Sequence, residues 1–462
     1  MLKDYVFSEN LTLQKYAVLI IRKYISSSNQ ESSIALDNLG NNINEDFLSK
    51  LCSFLSNNNI DKCFEFEVCW ILINIAFNNN GEEKIVHNEK NLKNILNFLV
   101  FVKNDKILLY HALWLIKNLT ATFVFPKQFF IENSIFDIFE IIFDIYKFDE
   151  EIVEFLSACI CNLCKYTSFP EYNEQYKKAI PIIGTVITLT TKFYYFNIGL
   201  YVLFKLSLNE KLIDCLIANQ IHTKIFDLYP KLDKFWSSPM EQEQLSLFCV
   251  KIIGNLLYGD YVQVQILINA GVVQFLNKLL EESNLKILKN TIWGICNIAS
   301  GAFGQISFLF KEKTVFYVIQ IGIDIYEMIV NRRYESDKDR LLLLDVFKEI
   351  IFMSSLTIFG TLFDMLLPFL NYKNCSVISF LCLGLELFSD NEQLILDSLK
   401  ALHKVMAVEH ASDLSMNDVS YINILINSNI KEKLEKLQLS PNEKIADKSS
   451  EFYDELFEEI EI

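Results

Sequence analysis

The chain has 462 residues, 51% hydrophobic and 22% charged, enough apolar material for a large buried core, which excludes global disorder. Its 58 acidic and 42 basic residues give a formal net charge of −16, a poor match for nucleic acid but one that steers basic peptides toward it. Only 13 glycines and 7 prolines argue against many β-hairpins and for helices joined by short connections.

From the start, Met1-Leu2-Lys3-Asp4-Tyr5-Val6 lacks the basic-then-apolar pattern of an export signal. The eleven cysteines therefore read as reduced thiols, mostly buried as small hydrophobes. Helices over about residues 11–26 are expected to cap a helical array. Then a motif recurs. Trp70-Ile71-Leu72-Ile73-Asn74-Ile75-Ala76 returns as Trp114-Leu115-Ile116-Lys117-Asn118-Leu119-Thr120. Ala158-Cys159-Ile160-Cys161-Asn162-Leu163-Cys164 keeps the asparagine and loses the tryptophan, while Tyr201-Val202-Leu203-Phe204-Lys205-Leu206-Ser207 keeps only an aromatic. Lys251-Ile252-Ile253-Gly254-Asn255-Leu256-Leu257 and Trp293-Gly294-Ile295-Cys296-Asn297-Ile298-Ala299 complete the series.

The asparagine position runs 74, 118, 162, 205, 255, 297, in steps of 44, 44, 43, 50 and 42. A period in the forties with helical patterning inside it is the signature of HEAT or armadillo arrays, whose units bury their apolar faces on their neighbours. The expected fold is all-α: a right-handed superhelical solenoid of about ten armadillo repeats over residues 1–440, with an acidic helix over 441–462 completing the last. Within a repeat, a helix such as 92–102 is followed by the polar break Lys103-Asn104-Asp105 and then by the motif helix. Tyr258-Gly259-Asp260 and Asn269-Ala270-Gly271 mark turns, the second where a left-handed residue is wanted. Trp236 falls in the long step of 50 and is expected to anchor an enlarged loop. Beyond residue 300 the period blurs, although 376–388 and 432–457 still read as helical.

On a helix, positions i and i+4 share one face. Ile71, Leu72, Ile73 and Ile75 can point into the core, which leaves Trp70 and Asn74 on a separate face. Stacked helices then carry two ladders. The carboxamides offer a donor and an acceptor to an extended peptide backbone. The indoles form walls for long aliphatic stems, and a cation over an indole gains roughly 0.5–2 kcal/mol. A lysine- or arginine-rich extended segment is the ligand this implies.

These residues resemble importin alpha, the nuclear-import adaptor family. Lys251–Gly271 in sequence, Lys-Ile-Ile-Gly-Asn-Leu-Leu-Tyr-Gly-Asp-Tyr-Val-Gln-Val-Gln-Ile-Leu-Ile-Asn-Ala-Gly, is similar to that family's sixth repeat. Asn162-Leu163-Cys164-Lys165 with Pro170-Glu171-Tyr172 is similar to its fourth, and Glu432-Lys433-Leu434-Glu435-Lys436-Leu437-Gln438 to its tenth. The resemblance implies a major site for nuclear localisation signals at Trp70, Asn74, Trp114, Asn118 and Asn162, and a minor site at Asn255, Trp293 and Asn297. It also implies importin beta and an export receptor as further partners, and shuttling between cytoplasm and nucleus. Three departures stand out. Ala158 replaces the third major-site tryptophan. Thr122 stands where the family has the acid that receives the key lysine. The eighth-repeat motif near 345–350 is not recognisable. Glu67 and Glu154 are candidates for replacement charge. The family's basic importin-beta-binding segment of about 40 residues is not recognisable before residue 11.

No enzyme, cofactor or metal is expected. Cys159, Cys161 and Cys164 lie inside a motif helix without a second ligand pair at zinc spacing. His87, His111, His222, His403 and His410 are scattered without a nucleophile partner, His111 reading as a half-exposed helix residue. The runs 179–206 and 350–363 fall short of the roughly 20 clean apolar residues a membrane span needs. The acidic stretch 451–461 reads as a solvated helix face.

Overall fold

The structure, a computed structural model, describes residues 2–26, 44–56, 61–77, 81–165, 170–189, 192–232, 238–373, 376–411 and 420–458. Trp236 lies outside them. Among the described residues every regular element is a helix, and no helix is long and apolar enough to cross a membrane. Contacts divide the chain into two units, Met1–Lys224 and Ile225–Ile462.

In the first unit the motif helices stack side by side in chain order. These are α1 (Leu11–Ile25), α2 (Lys62–Phe77), α3 (Lys106–Leu119), α4 (Glu150–Cys164) and α5 (Phe193–Ser207). Behind them lies a second layer, in which Glu45–Leu55 packs on Glu89–Val102 and Ile135–Tyr146 on Asn173–Leu189. So residues 11–26 do not merely close the end; α1 is the first member of the front layer. The second unit repeats the scheme with α6 (Pro239–Leu256), α7 (Leu285–Ala299), α8 (Asp337–Gly360), α9 (Glu392–Ala411) and α10 (Glu443–Glu458).

Local chemistry explains where these helices begin. Asp61, Asp105 and Asp149 precede α2, α3 and α4, and their carboxylates accept from the backbone N–H of Phe64, Leu108 and Ile152 at 3.0, 3.2 and 3.3 Å, filling donors that a helix start leaves open. The three aspartates are 44 residues apart. A lysine follows the first two, and each reaches the next aspartate: Lys62 to Asp105 at 2.7 Å and Lys106 to Asp149 at 2.6 Å, with Lys15 pairing Asp61. The cap of one repeat is thus the ion-pair partner of the repeat before it. Gly271 adopts φ +93° ahead of the helix Val272–Leu279, the left-handed turn expected at Asn269-Ala270-Gly271. Elsewhere Ser134, Lys313 and Asn429 hold the same conformation, so glycine marks this turn only once.

Candidate functional site

The motif helices share one burial rhythm. From Trp70 to Phe77 it runs half-buried, three buried, half-buried, two buried, exposed, and the same order spans 251–258, 293–300 and 352–359. The half-buried pair is the exposed stripe of each front-layer helix. In the first unit the pairs are Trp70 with Asn74, Trp114 with Asn118 and Tyr201 with Lys205; beside them Ala158, which is buried, and half-buried Asn162 occupy the same two positions. In the second unit they are Lys251 with Asn255 and Trp293 with Asn297. The next front-layer helix carries the same rhythm at Phe352 with Leu356, 59 residues after the previous pair rather than 42 to 50, with the longer helices Thr314–Val330 and Asp337–Gly360 between and around them. The stretch 345–350, where the resemblance would put the motif, lies one to two turns too early.

The asparagines are already at work inside the fold. Asn118 Nδ2 donates to Ile73 O at 3.4 Å, Asn162 Nδ2 to Lys117 O at 2.9 Å, and Asn297 Nδ2 to Gly254 O at 3.1 Å. Each acceptor is the residue just before the preceding repeat's asparagine position. Asn74 Nδ2 donates to Trp70 O at 2.8 Å within its own helix. The Oδ1 atoms of Asn118, Asn162 and Asn297 accept no hydrogen bond among the described residues, which leaves their acceptor capacity open.

The tryptophans of the first unit belong to an aromatic band. Trp70 and Trp114 meet edge to face at 6.2 Å, and Trp114 lies 5.9 Å from Phe155. Phe66, His111 and Tyr110 fill the band between them, His111 lying 4.7 Å from Phe66 and 5.3 Å from Trp70. Two ring faces need about 7 Å between them to hold an alkyl chain, since each carbon contact takes about 3.5–4 Å. An edge contact at 6.2 Å leaves no such slot, so a stem would lie across this band rather than between indoles. His111 is not half-exposed: it is 7% exposed, with Nδ1 at 2.7 Å from Ile107 O and Nε2 unpartnered. Burial pushes its pKa down, which keeps the ring neutral among its aromatic neighbours.

Trp293 is held differently. It packs against Gly254, where a Cβ would fall 2.3 Å from its Cζ3. At the corresponding motif position before Trp114 the sequence has Ile73 rather than glycine. Beside it a cavity of about 260 Å³ is lined by Tyr258, Gly259, Tyr261, Asn297, Ser300 and Gln305 among others.

The two acids that could supply replacement charge are taken. Arg22 reaches Glu67 through Nε and through Nη2, the latter at 3.2 Å, and Lys192 reaches Glu154 at 2.6 Å. Their side chains are 18% and 16% exposed. Cations of the same chain also lie on this face: Lys117 over Phe155 at 5.3 Å and Lys205 over Tyr201 at 5.7 Å. The cysteine cluster packs as core: Cys159 and Cys164 are buried, and Cys159 Sγ lies 3.3 Å from Leu113 O.

The family profile Armadillo/beta-catenin-like repeat matches residues 260–300. No curated protein matches the sequence. Among solved structures, an engineered protein is 14% identical, with a TM-score of 0.67 over 99% of this chain and 98% of its own. A chain from a study of a phosphorylation switch in the cadherin and beta-catenin interaction is 11% identical, with a TM-score of 0.68 over 99% of this chain and 82% of its own. A designed armadillo repeat protein in complex with the peptide (KR)4 is 21% identical over 60% of this chain and 99% of its own, with a TM-score of 0.44. The chain has the all-helical fold of an armadillo-like solenoid.

Proposed function

We propose that the first unit binds an extended, lysine-rich localisation signal along the stripe Trp70, Asn74, Trp114, Asn118 and Asn162, and that the protein is a nuclear import adaptor. The observation that carries this reading is the pairing of open carboxamide oxygens with an unbroken aromatic band on successive helices. The oxygens suit the N–H groups of an extended backbone, and the rings attract cations. The net charge of −16 and the likeness of Lys251–Gly271 to importin alpha support it. Asn255, Trp293 and Asn297 would form a minor site. Importin beta, an export receptor and passage between cytoplasm and nucleus belong to the same proposal.

A second reading, a scaffold for other extended peptides, is favoured by one observation: Glu67 and Glu154 are neutralised by Arg22 and Lys192. The test is binding of a labelled lysine-rich peptide, beside an acidic peptide of equal length, to the wild type and to Asn74→Ala with Asn118→Ala. Micromolar affinity for the basic peptide is expected, weakened about tenfold or more in the double variant. Millimolar affinity, an unaffected double variant or a preference for the acidic peptide would each sink the import reading.

A further inference from the structure

The turns that lead into the front layer of the first unit carry a second ladder, away from the motif stripe. Phe101, Ile145 and Leu189 are 44 residues apart and sit in the last turns of the helices Glu89–Val102, Ile135–Tyr146 and Asn173–Leu189. They are 55%, 49% and 47% exposed. Single exposed apolar residues are ordinary, but these recur at the step of the motif itself. Phe101 and Ile145 stand four residues before the caps Asp105 and Asp149. The repeat does not require exposure there: in the second unit Leu280, four before the cap Asn284, is buried. The edge is held in line by the ion pairs of Lys62 with Asp105, Lys106 with Asp149 and Lys192 with Glu154.

Beside the last rung lies a cavity of about 160 Å³, lined by Phe148, Val153, Val186, Leu189 and Tyr195 among others. A cavity of about 150 Å³ takes a benzene ring, so this one has room for one phenylalanine side chain. Phe148 itself is 84% exposed, which extends the apolar surface outward. Charge then selects what surrounds such an anchor. Glu150 and Glu154 both pair with Lys192, and Asp149 and Glu151 both reach Lys106. Lys103 and Lys147, each two residues beyond a rung, pair with no carboxylate among the described residues; Lys147 lies over the Phe148 ring at 5.7 Å. The uncompensated charge beside the ladder is therefore positive, with the exposed Asp144 in opposition.

We infer that this edge docks an acidic amphipathic helix of a partner protein, its large apolar residues one heptad apart along the rungs and one of them in the cavity. Packed helices lie about 8–10 Å apart and a heptad rises about 10.5 Å, so the two series keep step. Apolar rungs offer a ligand no backbone partner, and a helix satisfies its own. The carboxylates of the docked helix meet Lys103 and Lys147. The inference does not depend on the peptide reading of the motif stripe.

The test is fluorescence polarisation of the full chain with a labelled helical peptide of about 18 residues, phenylalanine at heptad spacing and glutamate on the flanks. Its controls are a scrambled peptide of the same composition and a version with glutamine for glutamate. Micromolar affinity is expected, with both controls at least about tenfold weaker. Ile145→Ser with Leu189→Ser, at exposed positions that the fold tolerates, should weaken the peptide about tenfold or more. Lys103→Gln with Lys147→Gln should erase the difference between the glutamate and glutamine versions, and Asn74→Ala with Asn118→Ala should change nothing. Millimolar affinity of the wild type, equal binding of the scrambled peptide, indifference to the ladder substitutions or a glutamate preference that survives the loss of both lysines would each overturn the inference. Self-association of the wild type that the ladder substitutions abolish would overturn it too, because a second copy would then cover the edge.

Discussion

Removing the amide at position 162 should loosen one interface between repeats before it affects any ligand. Asn162 Nδ2 lies 2.9 Å from Lys117 O, a well-formed bond in a half-buried place, whereas Asn118 Nδ2 lies 3.4 Å from Ile73 O, at the edge of bonding distance. A bond of the first kind contributes about 1 kcal/mol net, and one at the limit contributes less. Asn162→Ala is therefore expected to cost about 1 kcal/mol, and Asn118→Ala less than half of that. In a repeat array the loss is confined to the neighbouring units. The assay is urea denaturation of the full chain, with amide hydrogen exchange read separately over α3 and α4. Faster exchange in both helices in Asn162→Ala, and a smaller change at α2 and α3 in Asn118→Ala, is the expected pattern. Equal losses from the two variants, or a larger loss from Asn118→Ala, would refute the assignment of these amides as inter-repeat bonds.

Freeing an acid should improve binding of a basic peptide. Lys192→Ala releases Glu154, and about a two- to fivefold tighter affinity for a lysine-rich peptide is expected, as for a partly exposed ion pair; the gain should fade at high salt, and its persistence there would point to another cause. Glu65, 1% exposed in α2, has its carboxyl held up at about 6, by burial first and then by Asp61 and Asp105, with Lys62 opposing. A raised folded value means that the contribution of the protonated group is full below the ordinary 4.5 and is lost as pH rises through about 6. Glu65→Gln is therefore expected to stabilise the protein at pH 8 by up to about 2 kcal/mol and by nothing at pH 4; equal denaturation midpoints for variant and wild type at pH 8 would contradict this. Gly254→Ala places a Cβ 2.3 Å from Trp293 Cζ3; it should displace the indole and cost about 1–3 kcal/mol by overpacking, seen as a shifted tryptophan emission and a lower melting temperature, and an unchanged spectrum would count against this seat for Trp293.

The front layer was legible because its signal is local. Trp70 and Asn74 sit one helical turn apart with apolar residues between, and the same spacing at a step of 44 residues fixes both the helix face and the stacking. What stayed hidden depends on partners in other repeats. Glu67 and Glu154 look available until Arg22 and Lys192 arrive from 45 and 38 residues away. Phe352 and Leu356 keep the burial rhythm but neither residue type, and the longer step before them removes the period as a guide. The Asp61-Lys62 and Asp105-Lys106 repeat was present in the sequence at the motif's own step. Its meaning, a cap on one helix paired to the lysine of the helix before, shows only when the helices are side by side.

The recurrence of asparagine consequently carries less functional weight than its regularity suggests. An amide that bridges Asn162 to Lys117 and Asn297 to Gly254 is wanted wherever two such helices stack, ligand or no ligand. Stacking alone would keep the donor and be indifferent to the half-buried tryptophans beside it. Nor does stacking demand that the Oδ1 atoms stay without a donor among the described residues, or that rings continue from Phe66 to Phe155 across three helices. The case for a peptide therefore rests on the aromatic band and the open acceptors. Stability should track the amide donors and affinity the rings and the acceptors, which makes the two roles separable by mutation.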